Sequence, residues 1–315
     1  MPGVVFFGSP EFAVPSLATL AEDPIFRPVL AVTQPDRPVG RGRKHRPTAV
    51  RSAAEGMGIP VMTLESFDDG DAVGRLESTG AEVFVVAAFG LIFPRRVLAI
   101  PSIDCINVHA SLLPAWRGAS PVNMSLAAGD LFTGVSIMRM VKALDSGPVY
   151  AQRAVPIGPF DDAGKLSNDL ASAGAELLLS TLDRVCIGGL EPVEQREEGV
   201  SYAPLLKKGD GAVPWRKDAV SVHNHIRGMN PWPGSHTMHR CGRLKIHRAE
   251  PVDMIDRGVR AGTVLRADCD SLEVACGRGT VRLLEVQAEG RKQMPCEEFL
   301  RGTDLREGDI LKGEG

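Results

Sequence analysis

The sequence of 315 residues contains six cysteines but no Cys-x-x-Cys pair. The cysteines are scattered, so a zinc knuckle is unsupported and no metal is expected; reduced thiols in a cytoplasmic protein are the simpler interpretation. No apolar run approaches the roughly 20 residues of a membrane-spanning helix. The chain also enters its first apolar run without a basic region or a cleavage site, so no export signal is indicated. We therefore expect a cytoplasmic protein that does not bind a membrane.

An excess of positive charge is also lacking, because the formal net charge is -3. A nucleic-acid partner would need a local basic patch, since the overall charge opposes binding. Hydrophobic residues make up 43% and charged residues 24%, which is typical of a globular protein. The length suffices for two domains.

The glycine fingerprint of dinucleotide-binding proteins is missing from the first strand-to-helix turn. The apolar run Val4 to Phe7 predicts a buried strand closed by Gly8. Ser9, Pro10 and Glu11 follow, where Gly-x-Gly-x-x-Gly would be needed. We expect Ser9 to be the N-cap of a helix with Pro10 at its first position.

Strand and helix patterns alternate through the first two thirds of the chain. This alternation predicts an α/β fold, a doubly wound and mostly parallel sheet with ligands at the carboxyl ends of its strands. Further strands are expected at 29–33, 59–63 and 83–88, and helices at about 47–57, 72–78 and 161–187.

A charged stretch without periodicity, residues 191–214, indicates a linker. Short apolar runs separated by Gly and Asp follow it and predict a small β-barrel, OB-like in type. The predicted domains are therefore residues 1–205 and residues 206–315.

Two polar residues, Asn107 and His109, interrupt an apolar strand. Period-two alternation places both side chains on one face. That face offers an amide donor and an imidazole that can carry a proton. A satisfied polar pair at a sheet end is the alternative, and this strand alone favours that alternative, because short site motifs often occur by chance.

The carboxylate of Asp145 follows a second apolar strand, at a loop tip. Asp-Ser-Gly is also ordinary turn chemistry, so the residue means little alone. Together, Asn107, His109 and Asp145 supply an oxyanion donor, a proton carrier and a carboxylate that can orient it.

The segments 107–118 and 144–147 resemble the signature of formyltetrahydrofolate-dependent transformylases, and the resemblance spans nearly the whole chain. The Trp-Arg-Gly segment at 116–118 is most similar to the branch that formylates charged initiator tRNA. The resemblance implies a Rossmann-like formyltransferase catalytic domain at 1–205 and a tRNA-binding barrel at 206–315. It further implies 10-formyltetrahydrofolate as donor, no metal, and Asn107, His109 and Asp145 as the catalytic set. It also implies a folate pocket at Phe89, Gly90, Leu91, Ile92, Ser111, Leu112, Leu113 and Pro114.

Two positions depart from the family pattern. Phe89 stands where Tyr is usual, which removes a hydroxyl but keeps a ring. Ala143 stands where Gly is usual, which affects the expected backbone of the Asp145 loop.

A basic segment follows the second predicted strand. Its glycines and prolines predict irregular structure, and either a solvated loop or a nucleic-acid contact explains its charge. The candidate tRNA-binding residues are Arg37, Arg41, Arg43, Lys44 and Arg46.

The combined prediction is a monomeric enzyme that transfers a formyl group from 10-formyltetrahydrofolate to the α-amine of methionyl-initiator-tRNA, for translation initiation. One alternative is a formyltransferase acting on a small amine, such as a sugar nucleotide or glycinamide ribonucleotide. The other is a non-catalytic RNA-binding protein on the same scaffold.

Overall fold

The computed structural model describes residues 3–39, 44–240, 242–268 and 270–313. These residues form two compact units. The first unit comprises 3–121, 132–156 and 167–203, and the second comprises 122–131, 157–166 and the described residues from 204 onward. A domain boundary at residue 205 stays a prediction.

The first unit is built on a seven-stranded sheet in the order β10-β9-β7-β6-β1-β2-β5. The five strands from β7 to β5 pair in parallel, whereas β9 and β10 are antiparallel additions at one edge. The predicted doubly wound, mostly parallel sheet is therefore confirmed. The strands of this unit are β1 (Val4–Gly8), β2 (Pro28–Thr33), β3 (Arg37–Val39), β4 (Lys44–Arg46), β5 (Val61–Thr63), β6 (Val83–Ala87), β7 (Asp104–His109), β8 (Arg117–Gly118), β9 (Phe132–Arg139), β10 (Val149–Pro156) and β11 (Tyr202–Ala203).

Strands β1 and β6 are buried along their whole length, as their continuous apolar runs predict. Helices on both faces account for this burial. The helices up to residue 186 are α1 (Val14–Glu22), α2 (Ala49–Gly56), α3 (Gly70–Ser78), α4 (Arg95–Leu98), α5 (Pro121–Ala128) and α6 (Ala163–Cys186).

The prediction that Ser9 caps the first helix is wrong. The chain enters α1 through a 3-10 turn, Glu11–Ala13, and no side chain caps either element. Ser9 Oγ instead accepts from Gln34 N at 3.1 Å and from Thr33 Oγ1 at 3.4 Å. The hydroxyl is thus used to join the carboxyl ends of β1 and β2.

The basic segment is more regular than its glycines and prolines predict. Strands β3 and β4 pair antiparallel, with Arg37 opposite Arg46. Arg41 and Arg43 lie outside the described residues.

The second unit contains an antiparallel sheet in the order β12-β13-β16-β15-β14, with β17 beside β16. Its strands are β12 (His236–His239), β13 (Gly242–Asp253), β14 (Val264–Ala267), β15 (Leu272–Ala275), β16 (Thr280–Ala288) and β17 (Met294–Pro295), and its helices are α7 (Ala219–Gly228) and α8 (Cys296–Leu300). The register of β13 against β16 shifts at several points, and such bulges bend a strand. The sheet is curled, consistent with the predicted OB-like barrel.

One face of this curled sheet packs on α7. Val222 and Ile226 of the helix join Leu244 and Ile246 of β13 in a buried apolar cluster. No helix in the described part of the chain is long and apolar enough to cross a membrane.

A partly buried polar cluster joins β7, β9 and β10 at the end of β7 remote from His109. Arg139 Nε donates to Asp104 Oδ2 at 2.7 Å, and Arg139 Nη2 donates to the Tyr150 hydroxyl at 2.9 Å. The Tyr150 hydroxyl in turn donates to Asp104 Oδ2. Burial and the hydrogen bond to Asp104 raise the pKa of Tyr150 above its ordinary value.

Removing this hydroxyl should destabilise the first unit. We expect Tyr150→Phe to lower the free energy of unfolding by about 1 kcal/mol near neutral pH. Because the folded state raises the pKa of Tyr150, its contribution is complete below the ordinary value of 10.0 and is lost as pH rises above it. Urea unfolding at increasing pH should therefore show the two proteins converging in alkali.

The chain has only two tyrosines, so Tyr202→Phe is the matched control. Tyr202 is 63% exposed, and its substitution should leave the unfolding midpoint unchanged. A Tyr150→Phe protein as stable as the wild type would show that the cluster does not stabilise the sheet edge.

Candidate active site

Strand β7 directs Asn107 and His109 to one side of the sheet. Val108, between them, packs on α6, where a Cβ at Gly174 would lie 2.9 Å from Val108 Cγ1. Successive side chains of a strand point to opposite faces. Asn107 and His109 therefore face away from α6, at the carboxyl end of the strand.

The ring of His109 is held by a backbone carbonyl. His109 Nε2 lies 3.0 Å from Trp116 O, and a carbonyl oxygen only accepts, so Nε2 carries the hydrogen. The ring is 6% exposed. Its other nitrogen, Nδ1, lies 3.8 Å from Asp145 Oδ2. That separation is too long for a direct hydrogen bond, and the two groups form an ion pair only when the imidazole is protonated.

The carboxylate of Asp145 is held by a backbone N–H group of β8. Asp145 Oδ2 accepts from Gly118 N at 2.8 Å. Asp145 itself has φ 44°, a left-handed conformation that non-glycine residues rarely adopt. A Cβ at Gly147 would meet Arg139 O at 2.0 Å, so only glycine fits where this loop returns to the sheet.

The segment 193–203, which we call the strap, lies along the loop that follows His109. Its strand β11 pairs in parallel with β8. Ser201 Oγ accepts from Trp116 N at 2.9 Å, and Ala203 O accepts from Ala119 N at 2.8 Å. Trp116 and Gly118 both have positive φ, so these contacts hold an unusual backbone in place. The predicted linker is therefore wrong for these residues. Sequence patterns could not locate the strap, because most of its partners are backbone groups.

The amide of Asn107 remains available to a ligand. Asn107 is partly exposed, and among the described residues no protein group hydrogen-bonds its side chain. An amide at this position can donate to an oxygen that bears developing negative charge.

The predicted folate residues after β6 divide into core and surface. The Phe89 ring is 2% exposed and packs against Phe7, Phe67 and Phe93, with centroid distances of 5.4, 6.2 and 6.0 Å. The ring replaces the family's Tyr within an aromatic cluster of the core. Leu91 is partly exposed and Ile92 is 82% exposed.

Gly90 has φ 83°, and a Cβ there would lie 2.8 Å from Gln34 Nε2. Gln34 Nε2 donates to Phe89 O at 2.8 Å. The carboxyl ends of β2 and β6 are thus tied together at the edge where Asn107 and His109 lie.

The predicted residues after β7 shape the adjoining loop. Ser111 Oγ donates to Ala115 O at 2.6 Å, and Leu113 N donates to Ser136 Oγ at 3.1 Å. Leu112 and Pro114 are partly exposed. Ser111 and Leu113 are buried, so their side chains serve the shape of the loop.

Ala143 does not carry the unusual backbone of the Asp145 loop. Among described residues other than glycine, only Ala88, Trp116 and Asp145 have positive φ. An alanine therefore fits at position 143 without strain of that kind, and the strained position is Asp145.

The described residues include some, but not all, of the predicted tRNA-binding residues. Arg37 and Lys44 lie on the paired backbones of β3 and β4, and Arg46 is exposed. Across the described parts of the chain, no group of three or more His, Cys, Asp and Glu side chains is placed to hold a metal ion.

Comparison with known proteins gives the chain its family. The family model described as "Formyl transferase" matches residues 3–182, and "Formyl transferase, C-terminal domain" matches 205–304. The methionyl-tRNA formyltransferase of Citrifermentans bemidjiense is 41% identical over 308 residues, 98% of this chain and 96% of that protein. The enzyme of the same name from Aromatoleum aromaticum is 43% identical over 307 residues, 97% of this chain and 96% of that protein.

Solved structures share the fold at lower identity. The crystal structure of an N-formyltransferase from Helicobacter canadensis, with folinic acid and dTDP-3-aminofucose, has a TM-score of 0.69 at 17% identity and covers 90% of this chain and 99% of that chain. The family assignment rests on the relatives that match nearly the whole chain at about 40% identity. The chain therefore belongs to the methionyl-tRNA formyltransferase family of formyl transferases.

Proposed function

We propose that the chain transfers the formyl group of 10-formyltetrahydrofolate to the α-amine of methionyl-initiator-tRNA, in the cytoplasm and for translation initiation. The family supports the reaction type. The observation that carries the site is the close approach of the buried ring of His109 to the partly buried carboxylate of Asp145, with 3.8 Å between Nδ1 and Oδ2. The amide of Asn107, which has no hydrogen-bond partner among the described residues, lies two residues before His109 on the same strand.

The reaction requires a proton to move. The amine attacks the formyl carbon, a carbon–nitrogen bond forms, and the formyl oxygen becomes an oxyanion. The attacking nitrogen must then lose a proton, and the departing nitrogen of the folate must gain one. Because Nε2 of His109 is committed to Trp116 O, Nδ1 is the nitrogen that can take up the proton. The resulting imidazolium would face the Asp145 carboxylate, which stabilises it.

Asn107 has a separate role in this proposal. Its amide, which has no hydrogen-bond partner among the described residues, donates to the oxyanion as the tetrahedral intermediate forms. Loss of one such donor costs about 3 kcal/mol of transition-state stabilisation in other enzymes. Asn107 and the His109–Asp145 pair thus act on different atoms of the same intermediate.

The folate is proposed to lie along the loops that follow β6 and β7. These strands are parallel neighbours, with Val86 opposite Asn107, so the segments 88–92 and 110–114 start side by side. The exposed side chain of Ile92 and the backbone around Gly90 offer an apolar wall for a pterin. Phe89 contributes its carbonyl and backbone to this wall, since its ring belongs to the core.

A small amine remains the second candidate acceptor. The Helicobacter canadensis structure was solved with a nucleotide-linked amino sugar. At 17% identity that likeness supports the fold alone, whereas relatives at about 40% identity over the whole chain act on methionyl-tRNA by name. The basic segment at 37–46 also favours a phosphate-rich acceptor.

The catalytic assignment predicts the behaviour of three variants. We expect Asn107→Ala, His109→Ala and Asp145→Ala each to lower kcat about a hundredfold or more at saturating substrates, because each removes a group that acts in the transition state. Formylation of charged initiator tRNA is the measurement, with circular dichroism to confirm folding. Ser180→Ala, on the exposed face of α6, should retain wild-type kcat. Near-wild-type kcat in two of the three variants would mean that the assignment is wrong.

The basic segment predicts a different kinetic effect. Arg41→Ala should raise KM for charged tRNA and leave folate affinity nearly unchanged, because a phosphate contact positions the acceptor without touching the donor. The same variant should show a shallower dependence of tRNA binding on salt concentration.

A matched arginine elsewhere provides the control. Arg75 is exposed in the last turn of α3, which leads back to the amino-terminal edge of the sheet, away from Asn107 and His109. Arg75→Ala should leave KM for charged tRNA unchanged. If both variants behaved alike, or if replacing 37–46 by a short neutral turn had no effect, the tRNA role of this segment would be abandoned.

A further inference from the structure

We propose that Gln195, in the strap, is a positioning residue that holds Asp145 in its active geometry. This inference rests on the proposed function, because it assumes that the Asp145 carboxylate takes part in formyl transfer. Gln195 touches neither His109 nor Asn107 by any hydrogen bond among the described residues, so it acts through the loop that carries Asp145.

Gln195 donates both hydrogens of its amide nitrogen to this loop. Its Nε2 lies 2.8 Å from Asp145 O and 2.7 Å from Gly147 O. One side chain therefore binds the carbonyls on both sides of Ser146. No alteration of the loop that moves Asp145 can leave both bonds intact.

Arg117 fixes the orientation of the Gln195 amide. Gln195 Oε1 accepts from Arg117 Nε at 3.0 Å and from Arg117 Nη2 at 2.7 Å. A guanidinium only donates, so the amide oxygen must face Arg117 and the nitrogen must face the two carbonyls. The amide thus has all four hydrogen-bonding positions filled, in one orientation.

The Asp145 loop has a specific need for this support. A left-handed backbone at a non-glycine residue costs about 1 kcal/mol or more, so Asp145 would relax toward another conformation if it were not held. Gly118 N fixes the carboxylate from one side, and Arg117, the residue before Gly118, fixes Gln195. The same short strand β8 therefore holds the side chain of Asp145 directly and its backbone through Gln195.

The strap is itself anchored on either side of Gln195. Val193 exchanges two backbone hydrogen bonds with Val149, at 2.8 and 2.9 Å, and β11 pairs with β8. Gln195 is thus presented from a fixed backbone, which lets its side chain act as a rigid bridge between the two loops of the site.

The test uses a substitution that keeps volume and removes the amide. Gln195→Met should lower kcat about tenfold or more, since a small displacement of a catalytic group is costly. KM for the folate donor and for charged tRNA should stay within about twofold, because neither substrate is bound by this amide. Gln195→Glu should lower kcat by a similar factor, since a carboxylate can accept from Arg117 but cannot donate to the two carbonyls.

Glu194→Met is the matched control, because Glu194 is the exposed neighbour on the same strap. It should retain wild-type kcat and KM. If Gln195→Met also retained wild-type kcat, the positioning role would be wrong.

A double-mutant cycle separates positioning from general stability. In an Asp145→Ala background, Gln195→Met should lower kcat by less than about twofold, because the group that it positions is already gone. Additive losses would overturn the proposal and indicate a structural role. If Asp145→Ala alone left kcat unchanged, the proposed function would fail instead, so the two failures give different results.

Discussion

The site depends on one contact, the hydrogen bond of 2.8 Å from Gly118 N to Asp145 Oδ2. It sets the carboxylate 3.8 Å from His109 Nδ1, while Trp116 O fixes the opposite nitrogen of the ring. Both holding groups belong to the segment 116–118, in which Trp116 and Gly118 have positive φ. A Cβ at Gly118 would lie 2.4 Å from Ala203 O, so this loop can take its place only with glycine at that position and with the strap beside it.

A charged tRNA and a small amine would be formylated by the same chemistry, so charge and sequence identity are what favour the tRNA as acceptor. The structural likeness to a sugar-modifying enzyme reflects a common scaffold, since it persists at 17% identity. The relatives at about 40% identity extend over both family models. The net acidic chain also carries five Lys and Arg residues between positions 37 and 46, which is the local basic patch that the proposed tRNA contact requires. The proposed catalytic set of Asn107, His109 and Asp145 lies wholly within the first unit.

Regular patterns allowed much of this fold to be predicted. The continuous apolar runs of β1 and β6 correctly predicted that these strands are buried. The polar residues in β7 correctly predicted that Asn107 and His109 share one face, because side chains alternate along a strand. The strap was not predictable, since the groups that it contacts at Trp116 and Ala119 are backbone N–H groups, which no side-chain pattern reveals. Ser9 was misassigned because a serine before a helix has several competing partners, and here Gln34 N is one. The doubt over Ala143 was resolved only by the backbone angles, which place the unusual conformation at Asp145.

The most direct test of this account is a single-turnover transfer assay with 10-formyltetrahydrofolate and competing acceptors. Methionyl-initiator-tRNA, free methionine, glycinamide ribonucleotide and a nucleotide-linked amino sugar would be offered at equal concentration to excess enzyme. The account predicts that the formyl group appears on the charged tRNA at least about a hundredfold faster than on any small amine, because the tRNA alone adds phosphate contacts to the same chemistry. Faster formylation of the amino sugar or of glycinamide ribonucleotide would contradict it.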